Sequence, residues 1–381
     1  MNLLGSNPKS LVKSVLLHNN PLYVQFYITA RCNLACEQCN VIYANADQEE
    51  VDLEKIKRIA KNLSKIGTSI VLLTGGEPFI RKDLPEIVKI FIDAGIHPRL
   101  QTNGLASDES LRQVVTYGAN DISISLDTLE PPLQDKINGG FRDSWARAID
   151  RISFINSNFP SSSFCALGTV FAPSNFRQIP KVIKFATEIG WWTSIVPAHQ
   201  TSSKHPRSFS TFDPSLVFSP YQYEEVEKIL DEIRILKKQG FKIYDSEEYL
   251  SDILRFIRKE PIKWRRRNDN KCDAPNLYFA IQPNGDMAVC CDYRLNKPMK
   301  VYDDEFVEYY LRGEAAKSSE ETVTSCQGCM YGSFPEITIS SRFLKPMIHR
   351  GILFSKKSKR NIIPMSFEAM QKLAENIKND R

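Results

Sequence analysis

Eight of the nine cysteines in this 381-residue chain fall into two groups, and thiolates so clustered can bind metal. Cys32, Cys36 and Cys39 lie together in "TARCNLACEQCN"; Cys272, Cys290, Cys291, Cys326 and Cys329 form a looser second set. Tight CxxC-type spacings and an odd total favour metal ligation over disulfides and suit a reducing, cytoplasmic setting. Three thiolates are one short of a closed four-coordinate site. The triplet therefore reads either as zinc completed by another residue or as a [4Fe–4S] cluster with one open iron. In the second set, Cys272, Cys290, Cys326 and Cys329 supply four ligands, enough for a zinc ribbon or a closed iron–sulfur cluster. Cys291 is the alternative to Cys290; if spare, it is either structural or a thiol near the substrate. Cys165, alone in the apolar run "SFCALGTVF", reads as a buried core residue.

Other residues with chemical potential follow apolar runs. "TGGEPFIR" holds Gly75, Gly76, Glu77 and Pro78; two adjacent glycines let a ligand lie directly against the backbone. "QTNG" holds Asn103, and "SISLD" holds Ser125 and Asp127, which read either as pocket residues or as a helix N-cap.

Those residues need elements to bring them together. From 22 to 197 the pattern alternates strand and helix: "LYVQFYIT", "SIVLLT", "HPRLQT", "DISISLD", "SFCALGTVF" and "WWTSIVP" read as strands, with helices between them. In the first helix, Leu53, Ile56, Ile59, Ala60 and Leu63 share one face. Several strands are apolar on both sides, as parallel strands covered by helices are. The expected fold is α/β, an open sheet or partial barrel, with its chemistry at the C-terminal strand ends. The triplet and the three later motifs all fall at such ends. Further on, two helices are expected over 220–239 and 246–259, and a hairpin turning at Asn284-Gly285 in "LYFAIQPNGDMAVC".

CxxxCxxC followed by GGEP resembles the radical S-adenosylmethionine (radical SAM) superfamily over roughly residues 22–200. The resemblance implies a partial (β/α)6 barrel with a small C-terminal auxiliary-cluster domain. It implies that Cys32, Cys36 and Cys39 ligate a [4Fe–4S] cluster whose open iron takes the amino and carboxylate groups of S-adenosylmethionine. Gly75, Gly76, Glu77 and Pro78 would hold the methionyl end. Asn103, Ser125 and Asp127 would face the methionyl carboxylate, ribose or sulfonium, and Val196 the adenine. Gln38 stands where the family usually places an adenine-touching aromatic. The later cysteines look like a twitch domain, the shortened SPASM form, binding a second [4Fe–4S] cluster through Cys272, Cys290, Cys326 and Cys329. The implied organisation is a lead-in (1–21), the core (22–200), a linker with helices (201–260), the auxiliary-cluster domain (261–340) and a tail (341–381).

Function follows as an expectation. Reductive cleavage of S-adenosylmethionine would give a 5′-deoxyadenosyl radical that abstracts hydrogen from a carbohydrate- or nucleoside-like small molecule. The auxiliary cluster would relay electrons in a net oxidation or bond-forming step. A peptide substrate is the alternative, disfavoured because little sequence precedes Cys32 to form a recognition domain. A non-catalytic iron–sulfur or zinc protein is the reading from another class. A reductant such as flavodoxin or ferredoxin is implied. The net charge of +5, from 50 basic and 45 acidic residues, gives no nucleic-acid signature. No apolar run is long enough to span a bilayer. "KWRRRN" (263–268) reads as a solvated face or an anion site. Residues 343–360 read as a docking segment with a charged outer face, with membrane-surface contact as the second reading. His199 reads as structural; Tyr331 and Glu336 are candidate substrate-side groups.

Overall fold

Apolar residues, on both faces of several of them, drive six short runs into one parallel sheet. In the structure, a computed structural model, these are β1 (Tyr23–Thr29), β2 (Ile70–Gly75), β3 (His97–Thr102), β4 (Asp121–Ser125), β5 (Cys165–Phe171) and β6 (Trp192–Pro197). They pair in chain order, each parallel to the next. The structure describes residues 20–39, 49–199, 214–265, 272–324, 326, 328–354 and 362–380.

Helices cover the outer face: α1 (Leu53–Lys65), α2 (Leu84–Asp93), α3 (Asp108–Thr116), α4 (Pro131–Ile137), α5 (Ser144–Asn158) and α6 (Ile179–Glu188). Asp52 caps α1, accepting a hydrogen bond from the Lys55 amide at 2.8 Å. Ile56, Ile59, Ala60 and Leu63 of α1 are buried as its periodicity requires, while Leu53 is partly buried at the edge. This is the expected partial barrel. α4 is an extra helix, inserted between β4 and α5.

The strands also have an inner face, and it is not filled. In β3, Pro98, Leu100 and Thr102 are buried, whereas His97, Arg99 and Gln101 stay half-exposed. In β6, Thr193, Ile195 and Pro197 are buried, and Trp192, Ser194 and Val196 are not. A closed barrel packs its interior with branched apolar side chains. Here the inner positions leave an open bore.

The expected hairpin is present, with β7 (Tyr278–Ile281) antiparallel to β8 (Met287–Ala288) and Gly285 at φ 84° in the turn. Its placement was not foreseen: β7 pairs parallel with β1, Tyr278 opposite Tyr23, so the sheet has eight strands. A four-residue apolar run carries no signal for its partner.

α7 (Tyr223–Lys238) and α8 (Glu247–Ile257) match the two expected helices. Then follow α9 (Phe306–Leu311), α10 (Glu314–Thr322), α11 (Ser333–Arg342), α12 (Leu344–Phe354) and α13 (Phe367–Asn379). The last stretch is no loose tail: Met370 and Ala374 of α13 are buried in the main core. Asn156 and Ser153 of α5 donate to the carbonyls of Ile363 and Met365, both at 2.8 Å. In the described part of 343–360, Leu344, Met347, Ile348 and Ile352 are exposed beside Lys345, while Arg350 turns inward to Glu336 at 2.5 Å. Residues 355–360 of that segment lie outside the described residues. Among those described, no helix is long and apolar enough to cross a membrane.

Candidate functional site

β1 ends at Thr29, and the cysteine triplet occupies the loop beyond it. Glycines fix the position of that loop. A Cβ on Gly75 would fall 2.1 Å from the Thr29 carbonyl oxygen, and one on Gly76 2.0 Å from that of Arg31. The Gly76 amide donates to Thr29 O at 2.9 Å and the Glu77 amide to Arg31 O at 2.8 Å. The adjacent glycines thus admit the cysteine loop's own backbone, as well as bordering the cavity. A third close approach comes from α4's end, where a Cβ on Gly139 would meet Ala35 O at 2.4 Å.

One cavity of about 410 Å³ opens beneath the loop, within the usual size of small-molecule sites. Cys32, Cys36, Cys39, Gln38, Gly75, Gly76, Asn103, Ser125, Asp127 and Val196 all border it. Glu77 and Pro78 do not. Glu77 is buried, accepting from Thr102 Oγ1 at 3.0 Å and from the Phe79 and Asn103 amides at 3.1 and 2.7 Å. Burial raises its carboxyl to about 7 against the pull of these donors. It ties the end of β2 to the end of β3, and Pro78 starts the 3-10 turn beside it.

Asp127 is no helix cap. Its Oδ1 accepts from the Val170 amide at 2.7 Å, and its Oδ2 from Gln38 Nε2 at 3.0 Å. Burial raises its carboxyl to about 6, with those two donors and Gln134 pulling it back. Gln38 thus anchors the cysteine loop to the segment just after β4. Asn103 Nδ2 donates to Asn33 Oδ1 at 2.7 Å and approaches Cys32 Sγ at 3.8 Å. The Cys36 thiol meets Asn138 Oδ1 at 3.5 Å. The three thiols lie close enough to repel one another as thiolates; burial first, then that repulsion, raises Cys36 far above the ordinary thiol range. A cation at this point would relieve the repulsion, although among the described residues no three His, Cys, Asp or Glu side chains are arranged to hold a metal ion.

The second group assembles likewise. Cys272, Cys290, Cys326 and Cys329 lie near enough for their thiolates to repel one another, and Cys291 acts on Cys290 in the same way. The Cys291 thiol also borders the main cavity, 3.9 Å from Gln25 Oε1 and bonded to Tyr27, and burial pushes it up to about 12. No disulfide joins any of the nine cysteines, and Cys165 is buried in the core.

The solvated reading of "KWRRRN" is corrected for the part described. Trp264 and Arg265 are buried; Trp264 Nε1 donates to Cys329 O at 3.1 Å and Arg265 Nη1 to Cys326 O at 3.0 Å. They hold the carbonyls of the CxxC turn. Residues 266–268 lie outside the described residues. His199 stacks on Tyr331, ring centroids 3.5 Å apart, and its Nε2 accepts from the Met330 amide at 2.9 Å. Burial lowers it to about 3, so it is neutral. Tyr331 borders the cavity and donates to Asp292 Oδ1 at 2.7 Å. Glu336 faces away, bonded to Ser246 and Arg350.

Sequence reasoning missed the cavity's middle and foot: Gln25, Tyr27, Arg99 and Ser194. The available signal was the polar residue at every second position of β3 and β4.

Residues 26–186 match the family model described as the Radical SAM superfamily. The chain is similar to the AdoMet-dependent heme synthase of Methanosarcina barkeri, 27% identical over 179 residues, 46% of this chain and 50% of that protein. It is similar to the PqqA peptide cyclase of Bradyrhizobium diazoefficiens, 29% identical over 180 residues, 44% of each. The chain thus spans about half the length of the curated relatives it matches. Its fold is like that of Streptococcus suis SuiB, at a TM-score of 0.60 and 15% identity, over 93% of this chain and 79% of that one. The superfamily implies a [4Fe–4S] cluster and S-adenosylmethionine.

Proposed function

We propose that the protein is a radical SAM enzyme carrying two [4Fe–4S] clusters. The observation that carries this reading is the convergence of Cys32, Cys36, Cys39, Asn103, Ser125, Asp127 and Val196 on one cavity at the C-terminal strand ends. Cluster and S-adenosylmethionine, when bound, supply reductive cleavage of the C5′–S bond and a 5′-deoxyadenosyl radical that takes hydrogen from a substrate. The chain's residues do the rest. Cys32, Cys36 and Cys39 hold the cluster and leave a position open. Gly75 and Gly76 set the height of the loop. Asn103, Ser125 and Asp127 offer hydrogen bonds to the polar parts of S-adenosylmethionine, and Val196 an apolar wall to its adenine.

Cys272, Cys290, Cys326 and Cys329, in a twitch-like auxiliary domain over 261–340, hold the second cluster. Four thiolates leave no open position, so this group suits electron transfer in a net oxidation or bond-forming step. A flavodoxin- or ferredoxin-type reductant supplies electrons, and cysteines without disulfides suit a cytoplasmic setting. The hydrogen-bonding groups of Gln25, Gln101, Ser123 and Ser194 on an otherwise largely apolar wall support a carbohydrate- or nucleoside-like substrate. A second reading, modification of a peptide, is favoured by the likeness to proteins named PqqA peptide cyclase.

Anaerobic reconstitution tests the cluster assignment: about eight irons per chain are expected, by two four-iron clusters. Electron paramagnetic resonance of the reduced protein should change when S-adenosylmethionine is added. About four irons would remove the second cluster, and an unchanged spectrum would count against the open position.

A further inference from the structure

Among the described residues, six of the eleven large apolar or aromatic side chains left exposed fall between Phe343 and Ile363. A single exposed leucine is ordinary, but a contiguous row marks a contact surface. The row lies on α12. Leu344 and Ile348 are 66% and 53% exposed, with Phe343 and Met347 exposed beside them and Ile352 one turn on. Positions 344, 347, 348 and 352 share one helical face.

The opposite face of α12 is committed to the foot of the barrel. Pro346 and Leu353 are buried, and Leu353 packs with Phe164 and Ala166 at the start of β5. Arg350 reaches Glu336 and lies over the Tyr244 ring at 3.7 Å. The helix is thus fixed by its inner face and presents aliphatic side chains outward.

Charge indicates what covers them. From Ile337 to Phe367 the sequence holds seven Lys and Arg residues and no Asp or Glu. Outside that stretch 43 basic residues stand against all 45 acidic ones, so the chain's positive balance resides here. Lys345 is exposed on the flank of the row, three residues from Ile348. A two-fold contact with a second copy would set this cationic stretch against itself. A nucleic acid would take the charge but leave Leu344 and Ile348 against phosphate. Protein hot spots favour Trp, Tyr and Arg over Leu. An anionic bilayer accommodates both features: its acyl boundary buries aliphatic side chains, and its headgroups attract Lys and Arg.

We infer that α12 docks the protein onto an anionic lipid surface. The cysteine loop lies at the other, C-terminal ends of the strands, so the docked protein keeps the mouth of its cavity toward water. This goes beyond the proposed function and does not rest on it.

The test is flotation of the full chain with vesicles of phosphatidylcholine alone and of phosphatidylcholine mixed with phosphatidylserine. Binding to the mixed vesicles should be roughly tenfold stronger or more, and should weaken as salt rises. Leu344→Asp combined with Ile348→Asp should lower that binding by roughly tenfold or more, with the melting temperature unchanged because both positions are exposed. Lys345→Glu supplies a second variant, weakening binding to the mixed vesicles while leaving the apolar row intact. No binding to the mixed vesicles, equal binding to both kinds, or variants that bind as the parent does would overturn the inference. So would a dimer that the double variant dissociates in a chain that leaves vesicles alone, for the face would then belong to a second copy.

Discussion

Gly76 carries no functional group, yet the site depends on it. A methyl there would sit 2.0 Å from the Arg31 carbonyl oxygen, which belongs to backbone and cannot swing away. Gly76→Ala should cost about 3 kcal/mol and displace the cysteine loop, lowering the iron bound at the first cluster while the second keeps its own. Iron content and thermal unfolding of the variant check this; full iron at both sites would contradict it. The motif was legible in the sequence but its physical reason was not, because the atom that excludes a side chain lies over forty residues away. Asp245 gives a pH signature. It is fully buried, bonded to the Ile195 amide at 2.7 Å and Ser194 Oγ at 3.2 Å. Burial, then repulsion from Glu336, raises its carboxyl above the ordinary range. A raised acid contributes stability at low pH and loses it as pH climbs through the raised value. Asp245→Asn keeps an acceptor for Ile195 and has no charge to bury. Its melting temperature relative to the parent should therefore rise from about pH 5 to about pH 8; a constant difference would sink the argument.

The core elements were legible because strand and helix periods differ and each barrel element is long enough to show its own. The C-terminal elements were less so. In helix α12, Arg350 pairs with Glu336 and apolar residues share the outer face with Lys345; helical spacing marks two faces without saying which is buried. The basic run before Cys272 misled, since Trp264 and Arg265 are committed to the carbonyls of Cys329 and Cys326. Trp264→Phe should keep the packing, remove the N–H donor and cost about 1 kcal/mol. Because that donor holds the CxxC turn, the variant should lose second-cluster iron faster to a chelator than the parent does, with first-cluster iron released at the parental rate. Equal release at both sites would show that the turn needs no such brace.

At the scale of the whole molecule, two cysteine groups share one sheet. β7 pairs with β1, so the segment carrying Cys290 and Cys291 follows a hairpin that lies beside the strand preceding Cys32. Cys290 lies among the second group's thiols and Cys291 on the cavity wall. Cys290→Ser should lower iron to about four per chain, while Cys291→Ser should retain about eight; the reverse pattern would exchange their roles. The cavity itself was only half legible. Motifs at strand ends announced its mouth, whereas its depth depends on inner positions whose emptiness no periodicity records. The central claim is that three thiolates at that mouth leave a position for S-adenosylmethionine and direct its cleavage. It is tested most directly by 5′-deoxyadenosine formation from S-adenosylmethionine under strong anaerobic reductant, in the parent and in Cys36→Ala. The account predicts product from the parent and none above background from the variant. No product from the reconstituted parent, or equal product from both, would contradict it.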